Sequence, residues 1–332
     1  MKIIFSESSN LNNSIYGNCQ APIKMFLEKR GEDFEQNSVL KNLFLMGSSK
    51  NYADMMTTLT AMSGFEPVGE NGAYPLDGMQ EGYQKLLKYQ TWKDSFSVSK
   101  EMVEDGKLLD MRKQPAAFMT SYNRTRELFG AALYGAAMMG NGSVTFKGVK
   151  FDLTGADGSN LFAKEHAPKV SGDKQCNLFK DAFSVDALGK LETKMHLFRG
   201  DNDEILDVAP DTILIPENAE LKKAVFAAIG ADKDPVTANN AFNYQYGRWN
   251  VIVWPYLNHY ITSGVSPWVL LDSKYNETYG GAVWNDRIQL EVRSTIDENT
   301  DANVWRGRSR FNACFNDWRF AAIGGIAAGN SL

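Results

Sequence analysis

The longest regular hydrophobic pattern in the chain is helical. Within residues 115–139, Phe118, Tyr122, Phe129, Leu133 and Ala136 fall on one narrow arc at 3.6 residues per turn. Pro115 suits a first helical position, where its missing N–H removes no hydrogen bond, and Gly140 suits the left-handed residue that ends a helix. The spacing predicts one helix over residues 115–139, roughly 37 Å long at about 1.5 Å per residue. Arg124, Arg126 and Glu127 occupy its first half on other faces, whereas FGAALYGAAMM in the second half has no charge. Such a helix starts at a surface and ends enclosed. Gly130 and Gly135 each cost about 1 kcal/mol against Ala in a helix, and close approach of a neighbouring backbone is the expected compensation.

The flanking patterns differ. Residues 1–62 read as a loosely organised arm, rich in Asn and Ser at first, with short helical spacings such as Tyr52, Met55, Met56, Leu59 and Met62. GFEPVGENGAYPLDGMQEG follows, and then Phe96 and Val98 alternate with Ser95, Ser97 and Ser99, as in a strand. So long a stretch of turns with little core is unusual inside a compact domain, and it is expected to project as a β-hairpin. Beyond residue 143 strands and helices mix. Residues 212–215, 251–254 and 268–271 read as buried strands. Residues 218–229 read as a helix with Leu221, Ala224, Val225 and Ala228 on one face and Gly230 as its stop. Ile288, Leu290 and Val292 alternate with Gln289, Glu291 and Arg293. In the last strand, Trp305, Gly307, Ser309, Phe311, Ala313 and Phe315 point one way, and Arg306, Arg308 and Arg310 the other. The fold class is α+β.

Composition narrows the function. With 332 residues, 43% hydrophobic, the chain can bury one large core or two modest ones. A net charge of −5 argues against a protein devoted to gripping phosphate backbones, while leaving room for a local basic strip. Cys19, Cys176 and Cys314 form no CxxC pair, which fits a reducing compartment rather than a disulfide framework. MKIIFSESSN lacks a signal-peptide apolar region, and the longest apolar stretch, residues 128–139, is too short to span a bilayer. No membrane partner is expected.

Candidate chemistry is sparse. Glu165, His166, Cys176 and His196 lie within about thirty residues, yet no spacing matches a zinc pattern. His166 reads as a polar residue of a structured loop. GxxxxGK[ST], GxGxxG after a strand and GxSxG are all missing, and GGIAAG (residues 324–329) is followed by too few residues for a helix, so it reads as a flexible tail. No catalytic, cofactor or metal residue is assigned, and no enzyme is expected. Arg306, Arg308 and Arg310 lie about 7 Å apart along one strand face. They form either a solvated face or a ladder onto acidic groups of an adjacent subunit or onto DNA phosphates.

An arm and a hairpin that bury little in their own chain need contacts elsewhere to offset their ordering, as in a subunit that interlocks with its copies. The ordered segments FDLTGADGSNLFAKEH, CNLF, AFSVDAL, ILDVAPDTILIPENAELKKAVFAAIG, NAFNYQYGRWNVIVWPYLN and PWVLLD, spread over residues 151–272, resemble the major head subunits of tailed bacteriophages, particularly the Mu-like branch. The resemblance implies a Hong Kong 97-type capsid fold. It assigns residues 1–62 to an N-terminal arm, 63–106 to an extended loop, 107–160 and 283–332 to a peripheral domain with the 115–139 helix as its spine, and 161–282 to an axial domain. It also implies pentamers and hexamers in an icosahedral head that encloses double-stranded DNA. Scaffold, portal and decoration proteins would be partners, with assembly in the host bacterial cytoplasm. An encapsulin-type compartment shell is the alternative within the same fold, and a cytoplasmic enzyme with an unrecognised site the alternative outside it.

Overall fold

The computed structural model describes residues 3–8, 10–59, 65, 67–70, 72–74, 76, 81–106, 108–170, 172–230 and 243–326. The first third comprises β1 (Ile4–Glu7), α1 (Gly17–Asn37), α2 (Leu40–Leu43), β2 (Leu45–Ser48), β3 (Ala53–Leu59), β4 (Glu81–Lys88), β5 (Gln90–Val98) and α3 (Lys100–Glu104). The middle holds α4 (Leu108–Met138), β6 (Ser143–Phe146), β7 (Val149–Asp152), α5 (Val185–His196), β8 (Thr212–Pro216) and α6 (Ala219–Ile229). The remainder is β9 (Asn250–Trp254), β10 (Trp268–Leu271), α7 (Ser273–Tyr279), β11 (Ala282–Ile296), β12 (Asn303–Phe315) and β13 (Ala321–Gly324).

Two sheets organise these elements. One runs β1-β11-β12-β5, with β2 also paired to β11. Its centre is the long antiparallel β11–β12 ladder, from Ala282 opposite Phe315 to Ile296 opposite Asn303, with irregular register between Asp286 and Glu291. The inner face of this sheet packs under α1 and α4, where Ile23, Leu27, Phe118, Met119, Val98, Leu290, Val292 and Trp305 are buried together. Gly307 lets the helix approach closely, because a Cβ there would collide with the Phe118 ring. The other sheet runs β13-β10-β8-β9, and every residue of β8, β10 and β13 is buried. The second half of α4 joins the core around this sheet, with residues 129 and 131–139 all buried.

The α4 stripe and its stop follow the sequence pattern. Gly140, at φ +74°, lets its own N–H bond Ala137 O and that of Asn141 bond Ala136 O, closing the last turn. The start differs: the helix begins at Leu108, and Pro115 is interior. A proline without its N–H weakens an interior turn by about 3 kcal/mol, yet seven residues precede it here. Gly130 and Gly135 do admit close neighbours, but these are chiefly the side chains of Leu40 and Tyr260 rather than a backbone.

Four further expectations change. Residues 1–62 are not a loose arm throughout, since α1 is a 21-residue helix whose Ile23 and Leu27 enter the core. The Tyr52-to-Leu59 helical spacing belongs to a strand, because β3 finds a lateral partner in β4, from Ala53 opposite Lys88 to Leu59 opposite Glu81; Met62 lies outside the described residues. The expected hairpin thus narrows to the antiparallel β3–β4 pair, while β5, expected in the extended loop, pairs along its whole length with β12. Of the expected flexible tail, Gly324 ends β13 and a Cβ on it would strike Trp268; residues 327–332 lie outside the described residues.

Candidate functional site

Alternation along β12 sends Arg306, Arg308 and Arg310 to the face opposite α4, with Asn312 and Cys314 continuing the same row. Cross-strand register adds two cations that the sequence pattern did not connect. Lys93 of β5 stands opposite Arg308, and Arg293 of β11 opposite Arg306. Among the described residues at these paired positions, Glu291 is the one carboxylate, 3.8 Å from Arg308. An exposed pair at that distance contributes about 0–1 kcal/mol. Arg310 Nε is buried without a hydrogen-bond partner among the described residues. The outer face of the sheet is thus a field of five cations around one acid.

The base of the hairpin covers the far end of this same face. Leu87, Tyr89 and the partly buried Met56 close over Cys314, and burial pushes the Cys314 thiol up to about 11. Asn312 Nδ2 donates to Lys88 O at 2.7 Å, Asn285 Nδ2 donates to Tyr89 Oη at 3.2 Å, and the Tyr89 hydroxyl donates to Asp54. Farther along β4 the contacts pass to other segments. Lys85 pairs with Asp152 at 3.2 Å, the Tyr83 hydroxyl donates to Ala167 O, and Lys169 donates to Gly82 O. Farther along, Phe65, Tyr74 and Leu76 are fully exposed.

The histidine and acid cluster has a structural role. His166 is buried, its Nδ1 2.7 Å from Asp157 Oδ2 and its Nε2 3.1 Å from Asn177 Oδ1, with its ring stacked 4.2 Å from that of Trp318. Next to it in the chain order of the C-terminal strands, Arg319 joins Asp201 at 2.8 Å and Asp317 at 3.2 Å. These contacts fasten the 153–206 loops to the segment before β13. Glu165 instead pairs with exposed Lys174, Cys176 Sγ lies 3.2 Å from Leu178 O, and His196 turns to Asp207. No group of three or more metal-ligating side chains forms among the described residues. No helix among the described residues is long and apolar enough to cross a membrane.

A cleft of about 480 Å³ opens beside α4, lined by Phe34, Val39, Arg124, Glu127 and Trp254. Burial raises the Glu127 carboxyl above its ordinary pKa, against hydrogen bonds from Ser38 and Trp254 that pull it down.

No protein of curated function matches the chain in sequence. The sequence profile of a family described as phage capsid protein matches residues 83–324, well over half of the chain. Among solved structures, the capsid of Cyanophage P-SCSP1u superposes with a TM-score of 0.50 at 8% identity, over 87% of this chain and 88% of that one. Mycobacterium phage Patience gives 0.48 at 13% identity over 99% and 94%, and the encapsulin of Synechococcus elongatus gives 0.49 at 10% over 87% and 86%. With the profile spanning α4, strands β5, β11 and β12 and the whole β13-β10-β8-β9 sheet, the chain belongs to the phage capsid protein family and is a shell protein of the Hong Kong 97-type fold.

Proposed function

We propose that the chain is the major head subunit of a tailed phage, assembling into pentamers and hexamers that close an icosahedral shell around double-stranded DNA. The observation that carries this is the β3–β4 hairpin, whose base is fixed to the sheet while Phe65, Tyr74 and Leu76 remain wholly exposed. Large apolar groups held out in water are the mark of a surface awaiting a partner. The five-stranded sheet with α4 serves as the peripheral domain, residues 161–282 as the axial domain, and the stretch before β3 as the arm. Arg306, Arg308 and Arg310 serve in contacts between subunits. Scaffold, portal and decoration proteins are the further partners, assembly takes place in the host cytoplasm, and the protein performs no catalysis. The segment order over residues 151–272 supports the Mu-like branch.

Electron microscopy and sedimentation of the expressed chain test this reading. Pentamers, hexamers or closed shells are the expected result. A clean monomer at micromolar concentration under assembly conditions overturns it, and shells that enclose a protein cargo instead of DNA assign the chain to compartment shells.

A further inference from the structure

The inner face of β12 leaves a gap in its packing under α4. Between Trp305 and Phe311 the inward positions are Gly307 and Ser309, both small. The Phe118 ring fills the space above Gly307. Beside it a cleft of about 380 Å³ stays open, walled by Trp92, Phe118, Tyr122, Leu290 and Phe311. Ser309 lines it too, 1% exposed, and its hydroxyl has no hydrogen-bond partner among the described residues. A buried hydroxyl left unpaired costs its full desolvation, so the chain alone leaves this site incomplete. Two lysines border the cleft. Lys93 belongs by alternation to the opposite sheet face, across from Arg308. Lys147 is exposed on the turn between β6 and β7. There Phe146 pairs with Val149, so Lys147 and Gly148 form a two-residue turn with φ of +48° and +83°. Such a turn favours Asn at its first position, and a lysine is an uncommon occupant of that backbone conformation. The Lys147 ammonium donates to the Thr125 hydroxyl at 3.2 Å and lies 6.0 Å from the Phe146 ring, with no carboxylate paired to it among the described residues. Asp94, the acid that lines the cleft, is already engaged by Ser121 Oγ at 3.2 Å and the Ser95 N–H at 2.9 Å.

We propose that this cleft binds a small aromatic hydroxy-carboxylate, its flat body between the sheet and α4, its hydroxyl on Ser309 at the buried end and its carboxylate on Lys147 at the solvent end. The walls select the body. Trp92 and Phe311 stack 5.2 Å apart at 16°, a flat aromatic surface on which another ring stacks in the same way. An apolar cleft with a few polar groups that fix orientation is the usual form of a small-molecule site, and this volume suits a molecule of two fused rings. The charges select the head. An ammonium carries three N–H donors, and Lys147 uses one on a neutral hydroxyl, so a carboxylate finds both donors and an unopposed charge. An amine head would have to compete with Ser121 and Ser95 for Asp94. The hydroxyl of the ligand supplies what the fold withholds from Ser309. All of these groups belong to one subunit, so the site stands apart from how subunits assemble. When filled, it ties β5 and β12 to α4 and to the β6–β7 turn, which stabilises the subunit by mass action.

The test titrates three probes into the full chain by calorimetry: 6-hydroxy-2-naphthoate, 2-naphthoate, which lacks the hydroxyl, and 2-naphthol, which lacks the carboxylate. Wild type is expected to bind 6-hydroxy-2-naphthoate saturably, one molecule per chain, with a dissociation constant of about 1 mM or tighter. Affinity is expected to fall about threefold for 2-naphthoate and about tenfold for 2-naphthol. Ser309→Ala should abolish the first difference and keep the second. Lys147→Asn, which suits the turn, should abolish the second and keep the first, and Lys147→Gly replaces it should that variant fail to fold. The comparison of the three probes on wild type needs no variant at all. No saturable binding of the hydroxy acid up to about 10 mM overturns the proposal and leaves a cleft that holds only water. Equal affinity of wild type for all three probes also overturns it and assigns the binding to exposed apolar surface such as Phe65. Differences that persist unchanged in both variants overturn it as well, because the probes then bind elsewhere.

Discussion

Replacing Asp286 with alanine is expected to be among the most damaging changes the β1-β11-β12-β5 sheet can suffer. Its two carboxylate oxygens accept from Arg126 Nη1 at 2.9 Å and Nη2 at 3.0 Å, a bidentate pair joining α4 to β11, and Oδ1 also accepts from Trp284 Nε1 at 3.1 Å. Arg126 lies 4.9 Å from the Trp284 ring and 5.0 Å from that of Phe311, with only 11% of its side chain exposed. Removing one partner of a buried pair costs about 3–5 kcal/mol, because the other charge stays buried, and the orphaned indole N–H adds about 1 kcal/mol. Over 332 residues the unfolding entropy is about 0.7 kcal/mol/K. A loss of about 4–6 kcal/mol therefore lowers the melting temperature of the unassembled subunit by roughly 6–9 °C. Differential scanning calorimetry reads this directly. Arg126→Leu combined with Asp286→Leu removes both charges and is expected to cost less than Asp286→Ala alone. The reasoning is refuted if Asp286→Ala melts within about 1 °C of wild type, or if the double variant is the less stable of the two.

Other perturbations follow from the same packing. Leu133, fully buried in α4, becomes an unpaired buried carboxylate in Leu133→Asp; soluble folded protein should disappear, and normal expression would show the buried face to be misassigned. Replacing residues 61–79 with a Gly-Ser linker should leave melting near wild type while shells fail to form. Trp92→Ala should instead destabilise the subunit by about 3–5 kcal/mol, since Trp92 stacks 5.2 Å from Phe311 and lies 5.7 Å from Phe129. Equal melting losses in both variants would put the tip in the core. Burial raises the folded pKa of Glu127 above its unfolded value, so its favourable contribution is full below the unfolded pKa and fades as pH rises through the folded one. Glu127→Gln should therefore gain stability relative to wild type as pH rises from about 4, the unfolded carboxylate range, through the raised folded pKa, and melting curves showing the opposite trend would contradict the buried placement.

Local signals in the sequence located much of the β13-β10-β8-β9 sheet and the helix beside it. The Asn218 side chain accepts from the N–H groups of Glu220 and Leu221, and Gly230 follows the last turn, so α6 was readable at both ends. The run 268–271 coincides with β10 because all four residues are buried, leaving no polar alternation to mislead. The hairpin boundary was misread because Met55, Met56 and Leu59 satisfy helical spacing, and only pairing with a strand more than twenty residues later reveals β3. The Phe96 and Val98 alternation was recognised as strand, but Trp305, which stacks 5.9 Å from Phe96, lies two hundred residues away, so its core role was hidden. The arginine row was visible from period two alone. Lys93 and Arg293 were not, since their proximity depends on register across three strands. The fastening of His166 between Asp157 and Asn177 likewise needs loops to meet, and no spacing encodes that.

The strand order has a consequence for synthesis. β1, at residues 4–7, must wait for β11 at residues 291–294; β5 must wait for β12; and β13, at residues 321–324, completes the second sheet beside β10. Neither sheet can close while the chain is still emerging short of β12, so a nascent polypeptide presents no finished cationic face and no seated hairpin. Pairings of such sequence separation form late and slowly. The order in which the ribosome delivers the strands thereby keeps subunits from engaging one another until each is whole.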